Sequence, residues 1–151
     1  MDLKVLSNLI EDAKQVYDDY PIMQRVVVTQ GIHESHMNSP RGASQLAIRC
    51  NNLFGIKGEG DAGSKSFPTW EHIDGEDVQV DADFACYSDH AACFAAHRSL
   101  MEHTRYAPVL ASRSATEAFK QLQKCSYATD PAYPARLQEV YDTIVRDAFN
   151  D

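Results

Sequence analysis

Apolar residues recur every three to four positions at the start of the chain, and this spacing predicts two helices. The first lies within residues 1–20 and carries Leu6, Leu9, Ile10, Ala13, Val16 and Tyr17 on one face. The second runs from Ile22 to about His36, with Pro21 suited to its first turn. Its inward-facing positions are expected to be Met23, Val27, Gln30 and Glu34. Glu34 therefore continues a face that should point toward the core.

Residues 64–87 are predicted to form a β-hairpin, because apolar residues alternate with polar ones from Val78 to Phe84. Asp74-Gly75 is a strong two-residue turn signal, and pairing outward from it fixes the register. Residues that pair across a hairpin share a face. The apolar face would then carry Val78, Val80, Phe84 and the carboxylate of Glu71. A register slip of one residue would instead turn Glu71 to solvent.

Helical spacing returns after the hairpin. The first predicted helix is capped by Ser88 and runs to about His103, and a short helix follows at 104–111. A third helix, at 114–124, is opened by a capping box. The closing helix is amphipathic, with Pro134 in its first turn and Tyr133 outside it. The segment 38–63 is rich in Gly, Ser and Asn, with one helical turn predicted at 45–48. Chain 1–151 is thus predicted to be a single α+β domain, mainly α, with a helical lobe and a small β-lobe at 64–87.

The chain is acidic, with 151 residues, a formal net charge of −8 and a pI of about 5.1. This balance argues against non-specific binding to nucleic acid or anionic lipid. No signal-peptide region and no membrane-length apolar run is present, so synthesis in the cytoplasm without a membrane anchor is expected. None of the cysteines forms a C-x-x-C pair. We expect reduced, hydrophobic thiols, with a disulfide after export left open, at Cys50, Cys86, Cys93 and Cys125.

Two histidines flank Glu34 in the stretch GIHESH, which raises the question of a metal site. His33 and His36 are three residues apart, whereas the zincin motif H-E-x-x-H needs four. No third ligand is singled out by spacing, so two helix-surface histidines and no metal are expected.

The carboxylates favour glycoside hydrolysis instead. That reaction needs one carboxylic acid with a raised pKa, and often a second carboxylate across a cleft. Glu34, at the inner edge of an apolar helix face beside a glycine-rich loop, is placed for desolvation to raise its pKa. Glu71, on the apolar side of the hairpin, is the candidate for the second carboxylate.

Six motifs in order resemble the glucosaminidase family of peptidoglycan hydrolases, glycoside hydrolase family 73. They are HES at 33–35, ASQLAIRCNNLFGIKG at 43–58, TWEHIDG at 69–75, FACYSDH at 84–90, RYAPVL at 105–110 and SYATDPAYPARL at 126–137. The resemblance implies a lysozyme-like fold, with the glycan cleft between a helical lobe and a small β-lobe. It also implies that Glu34 is the general acid, Glu71 the glutamate of the β-lobe and Tyr127 a tyrosine beside the acid. His36-Met37 stands where many members carry W-G, which leaves the sugar contacts there open.

The resemblance further implies cleavage of peptidoglycan glycan strands at the β-1,4 bond that follows N-acetylglucosamine, without a cofactor. Candidate substrate contacts are Asn52 and four aromatic residues, Phe54, Tyr87, Tyr106 and Tyr133. For each aromatic residue the alternative is core packing. A monomeric phage endolysin that a holin releases to the cell wall in the periplasm is the expected setting. The alternatives are a muramidase on the same fold, a zinc-dependent hydrolase of wall peptides and a non-catalytic glycan-binding domain.

Overall fold

The computed structural model describes all 151 residues, and it confirms a helical body with one two-stranded antiparallel hairpin. The helices before the hairpin are α1 (Leu3–Val16), α2 (Pro21–Ser35) and α3 (Gln45–Cys50). The strands are β1 (Ser64–Ile73) and β2 (Glu76–Ala85). The elements after the hairpin are α4 (His90–Met101), a 3₁₀ turn (Thr104–Tyr106), α5 (Ala107–Leu110), α6 (Ala115–Lys124), α7 (Tyr133–Val140), a π-helical turn (Tyr141–Val145) and α8 (Arg146–Ala148). None of the helices combines the length and apolar character needed to span a membrane.

Helix α2 is the central element of the body. It packs against α1, α6, α7 and the π-helical turn. The predicted inward positions Met23, Val27 and Gln30 are fully buried. Residues on its other faces are buried as well, namely Val26, Val28, Thr29 and Ile32. The single inward stripe is therefore too narrow a prediction, because a helix that is surrounded by others has no solvent face.

The hairpin register is the predicted one. Ile73 pairs with Glu76 and Glu71 pairs with Val78 around the Asp74-Gly75 turn. Both turn residues have positive φ, 51° and 81°, as a two-residue hairpin turn requires. The apolar face is buried only near the base of the hairpin, where Phe84 lies. Val78 is 37% exposed, so the tip projects into solvent.

Two helix starts differ from the prediction. The N-cap of α4 is Asp89, whose carboxylate accepts from the Ala92 amide. Ser88 instead donates both its amide and its hydroxyl to the carboxylate of Asp61. Tyr133, predicted to lie outside the closing helix, is the first residue of α7. Ser88 and Tyr133 both take partners from distant segments, Asp61 and Glu34, which local sequence does not reveal.

The expectation of four reduced cysteines is wrong for two of them. Cys50 and Cys86 form a disulfide that joins the end of α3 to the end of β2. Cys93 and Cys125 are free thiols. The amide of Tyr87 also donates to the carbonyl of Cys50. The base of the hairpin is therefore fastened to the helical body both covalently and by hydrogen bonds.

Candidate active site

Glu34 lies in the last turn of α2, and its carboxylate is held by two tyrosine hydroxyl groups. Tyr127 donates to Oε1 at 3.1 Å and Tyr133 donates to Oε2 at 2.9 Å. The two tyrosine rings are stacked, with centroids 6.0 Å apart. Tyr127 follows α6 and Tyr133 begins α7, so the packing of α6 and α7 on α2 assembles this trio.

Burial controls the ionisation of Glu34. Desolvation raises the pKa of Glu34 to about 7, and the two tyrosine hydrogen bonds act in the opposite direction. The pKa values of Tyr127 and Tyr133 are themselves raised, chiefly by burial and then by the charge of Glu34. Burial likewise raises the pKa of the nearby Cys93 thiol to about 12. All three neighbours are thus neutral near pH 7, while Glu34 keeps its proton in a large fraction of molecules.

Such a carboxyl group can donate a proton at neutral pH. General acids in enzymes have pKa values close to the working pH, which balances the protonated fraction against the ease of proton transfer. An exposed glutamate, with a pKa near 4.3, would be almost fully ionised under the same conditions. Burial of Glu34, with the raised pKa that the sequence led us to expect, is therefore present, and its role as the acid stays a prediction.

Glu71 is in a different environment. It lies on the hairpin face predicted for it, and its carboxylate accepts from Lys57 Nζ at 3.1 Å. The side chains of Glu71 and Lys57 are 41% and 55% exposed. No hydrogen bond joins Glu71 to Glu34, Tyr127 or Tyr133. The structure thus gathers Glu34 with the two tyrosines and leaves Glu71 on the other lobe, beside a cation that sequence reasoning did not find.

The five predicted sugar contacts are all buried, which leaves them little ring or amide surface for a ligand. Asn52 donates to the carbonyls of Ile56 and Ala85, and its own oxygen accepts from two amides, so it holds the loop in shape. Phe54 packs against the ring of His97 at 4.7 Å. The remaining members of the set are Tyr87, Tyr106 and Tyr133, which are 7%, 6% and 5% exposed.

Of these five residues, Tyr133 gains a different assignment, because its hydroxyl group touches Glu34 directly. Sequence reasoning missed this contact. The one available signal was the second tyrosine in SYATDPAY, six residues after Tyr127.

The two histidines beside Glu34 have different surroundings. The ring of His33 meets the ring of Tyr133 edge-on, with centroids 5.9 Å apart, whereas His36 is the exposed C-cap of α2 and has a left-handed backbone conformation. No three His, Cys, Asp or Glu side chains are grouped closely enough to hold a metal ion.

Comparison with known proteins gives the family. The model of the Glucosaminidase family, described as mannosyl-glycoprotein endo-beta-N-acetylglucosaminidase, matches residues 10–145. The exo-glucosaminidase LytG of Bacillus subtilis is 30% identical over 153 residues, which covers 97% of this chain and 52% of LytG. A probable N-acetylmuramidase of Lactococcus lactis subsp. cremoris is 31% identical over 144 residues, which covers 89% of this chain and 32% of that protein. The chain thus spans about half of LytG and a third of the second relative.

A solved structure agrees on the fold. The catalytic domain of the autolysin Auto from Listeria monocytogenes superposes with a TM-score of 0.80 at 24% identity, over 93% of this chain and 82% of that one. The expected lysozyme-like architecture is confirmed by this likeness and by the helix and hairpin arrangement. The chain belongs to the glucosaminidase family and is a glycoside hydrolase.

Proposed function

We propose that this protein hydrolyses the glycan strands of peptidoglycan at the β-1,4 bond that follows N-acetylglucosamine, with Glu34 as the general acid. The observation that carries the proposal is the carboxyl group of Glu34, which two tyrosines hold and whose pKa burial raises to about 7. The description of the family model and the name of the Bacillus relative both support a glucosaminidase.

In the proposed reaction Glu34 gives its proton to the glycosidic oxygen as the bond from that oxygen to the anomeric carbon breaks. The leaving sugar departs as an alcohol, and positive charge develops on the ring that remains. Tyr127 and Tyr133 then donate to the new carboxylate, which lowers the cost of forming a charge in a buried place. Both tyrosines also fix the direction of the carboxyl group before the reaction.

Glu71 is proposed as the base that activates water, with the ammonium group of Lys57 orienting its carboxylate. Replacing Glu71 with Gln is then expected to lower the hydrolysis rate roughly a hundredfold, the usual scale for losing a general base. Glu76→Gln, at an exposed position on the same hairpin, is the matched control and should keep the normal rate. If Glu71→Gln retains more than about a tenth of the rate, the N-acetyl group of the substrate is the better candidate for the nucleophile.

The bond that is cleaved is read from the products. Purified peptidoglycan is digested, reduced with borohydride and analysed by mass spectrometry. We expect new reducing ends on N-acetylglucosamine. New ends on N-acetylmuramic acid would instead establish the muramidase alternative, which the name of the Lactococcus relative keeps in view. No new sugar ends would contradict glycan hydrolysis altogether.

The biological setting stays a prediction from the sequence: a monomeric phage endolysin, made in the host cytoplasm and passed to the wall by a holin. Expression in a bacterial host, with and without a holin, tests it. Lysis that depends on the holin supports this setting. Lysis by the protein alone, or no lysis with the holin although the purified protein digests the wall, would contradict it.

A further inference from the structure

A chain of buried side chains leads from Glu34 into the interior of the body. Tyr133 accepts a hydrogen bond from Gln30 Nε2 at 2.9 Å. Gln30 Oε1 lies 2.7 Å from His97 Nε2, and His97 Nδ1 lies 2.9 Å from the hydroxyl group of Tyr17. Gln30, His97 and Tyr17 are each fully buried. We call Tyr17, His97, Gln30 and Tyr133 the relay.

All the hydrogen bonds of the relay are donated in the same sense, from Tyr17 toward Tyr133. Gln30 Oε1 can only accept, so the proton of the imidazole must lie on His97 Nε2. Burial lowers the pKa of His97 to about 3, so the ring is neutral and its Nδ1 is an acceptor. Tyr17 therefore donates to His97, His97 to Gln30, Gln30 to Tyr133 and Tyr133 to Glu34. Every donor points toward the carboxyl group of Glu34.

This direction affects the acid itself. The Tyr133 oxygen already accepts from Gln30, which leaves its own proton aimed at Glu34 Oε2. If the Gln30 amide turned over, its oxygen would face Tyr133 and compete with Glu34 for that proton. The turned arrangement would need the proton of His97 on Nδ1. The buried hydroxyl group of Tyr17, whose one partner is His97 Nδ1, would then have no acceptor for its own proton, and this cost disfavours the turn.

We propose that Gln30 and His97 are positioning residues that hold the Tyr133 hydroxyl group as a donor to Glu34. The kinetic part of this inference rests on the proposed function, and the geometric part does not. Buried polar networks are retained at a cost in desolvation, and one that is fully satisfied specifies a single arrangement of its members. Here that arrangement ends on the group assigned as the acid.

The direct test is the titration of Glu34 in the full chain. The protein is labelled with ¹³C at the glutamate carboxyl carbons, and the Glu34 signal is identified by its absence in Glu34→Gln. In His97→Leu the Gln30 amide is free to turn, so the Glu34 carboxylate loses part of a donor. We expect its pKa to rise by roughly one unit, the scale of one hydrogen bond to a charged group. The near-isosteric Gln30→Met removes the N–H group that polarises and orients the Tyr133 hydroxyl group. It should give a smaller rise in the same direction, and it keeps the test open if His97→Leu does not fold.

Two variants separate positioning from general stability. His97→Gln can place an amide N–H toward Gln30 and should restore a titration close to that of the unaltered protein. Thr29→Val removes a buried hydroxyl group that lies one residue from Gln30 in the sequence. The only hydrogen-bond partner of this hydroxyl group is the carbonyl of Arg25. It should leave the Glu34 titration unchanged. In the hydrolysis assay, His97→Leu and Gln30→Met should lower kcat roughly tenfold with little change in KM.

The outcomes are distinct. A Glu34 titration that is the same in His97→Leu or Gln30→Met as in the unaltered protein, with a lowered melting temperature only, would reduce the relay to core packing. A shift that Thr29→Val reproduces would also overturn the inference. If the titration shifts as expected but no sugar ends are released, the relay stands and the proposed function fails.

Discussion

Replacing Glu34 with Gln is expected to lower the rate of peptidoglycan hydrolysis by about three orders of magnitude. Gln keeps the shape of the side chain and can still accept from a tyrosine, but it has no acidic proton. Loss of a general acid costs typically 10²–10⁴ in rate. The rate is measured as soluble sugar released from purified peptidoglycan at pH 6, where most of the Glu34 carboxyl groups carry a proton.

Glu139→Gln is the matched control for this variant. Glu139 is an exposed glutamate on α7, and its side chain has no ion pair. It should keep the normal rate. If Glu34→Gln and Glu139→Gln release sugar at similar rates, Glu34 is not the acid, and the assignment built on its burial fails.

The same substitution is expected to make the protein more stable above pH 7. The pKa of Glu34 is raised in the folded state from 4.5 to about 7, so burial favours the protonated form. This contribution to stability is fully present below pH 4.5, where the unfolded chain is also protonated. It is lost as the pH rises from 4.5 through 7, and the total loss is up to about 3 kcal/mol. Gln carries no charge at any pH and avoids this loss.

Urea denaturation at pH 4 and pH 8 measures the effect. Glu34→Gln and the unaltered protein should unfold at similar urea concentrations at pH 4. At pH 8 the variant should be more stable by about 2–3 kcal/mol, whereas Glu139→Gln should differ by less than about 0.5 kcal/mol. If the variant is less stable than the unaltered protein at both pH values, ionisation of Glu34 does not destabilise the fold. The expected result would show that the protein keeps an ionisable group at this position although a neutral one would make the fold more stable, as occurs at functional sites.

The hairpin and the position of Glu34 could be predicted because local patterns determine them. Asp74-Gly75 fixes a two-residue turn, and alternation then decides which side Glu71 takes. The spacing of apolar residues along α2 places Glu34 at the inner end of a buried helix. In each case, residues that are near in sequence control the geometry.

The rest depends on contacts between distant segments. Cys50 and Cys86 are separated by 36 positions, and nothing in their local sequence indicates that they pair. Tyr133 reaches Glu34 across 99 positions, and His97 reaches Gln30 across 67. Asn52 falls in a motif that suggested ligand binding, yet its amide is fully used within its own loop and with β2. Such pairings become visible only when the helices have packed.

In the proposed reaction, the protonated carboxyl group of Glu34 performs the cleavage. The most direct measurement is the pH dependence of kcat between pH 5 and pH 9 on purified peptidoglycan. We expect kcat to be constant in acid and, above a pH of about 7, to fall by nearly tenfold per pH unit as Glu34 loses its proton. A rate that stays constant or rises from pH 7 to pH 9 would contradict it.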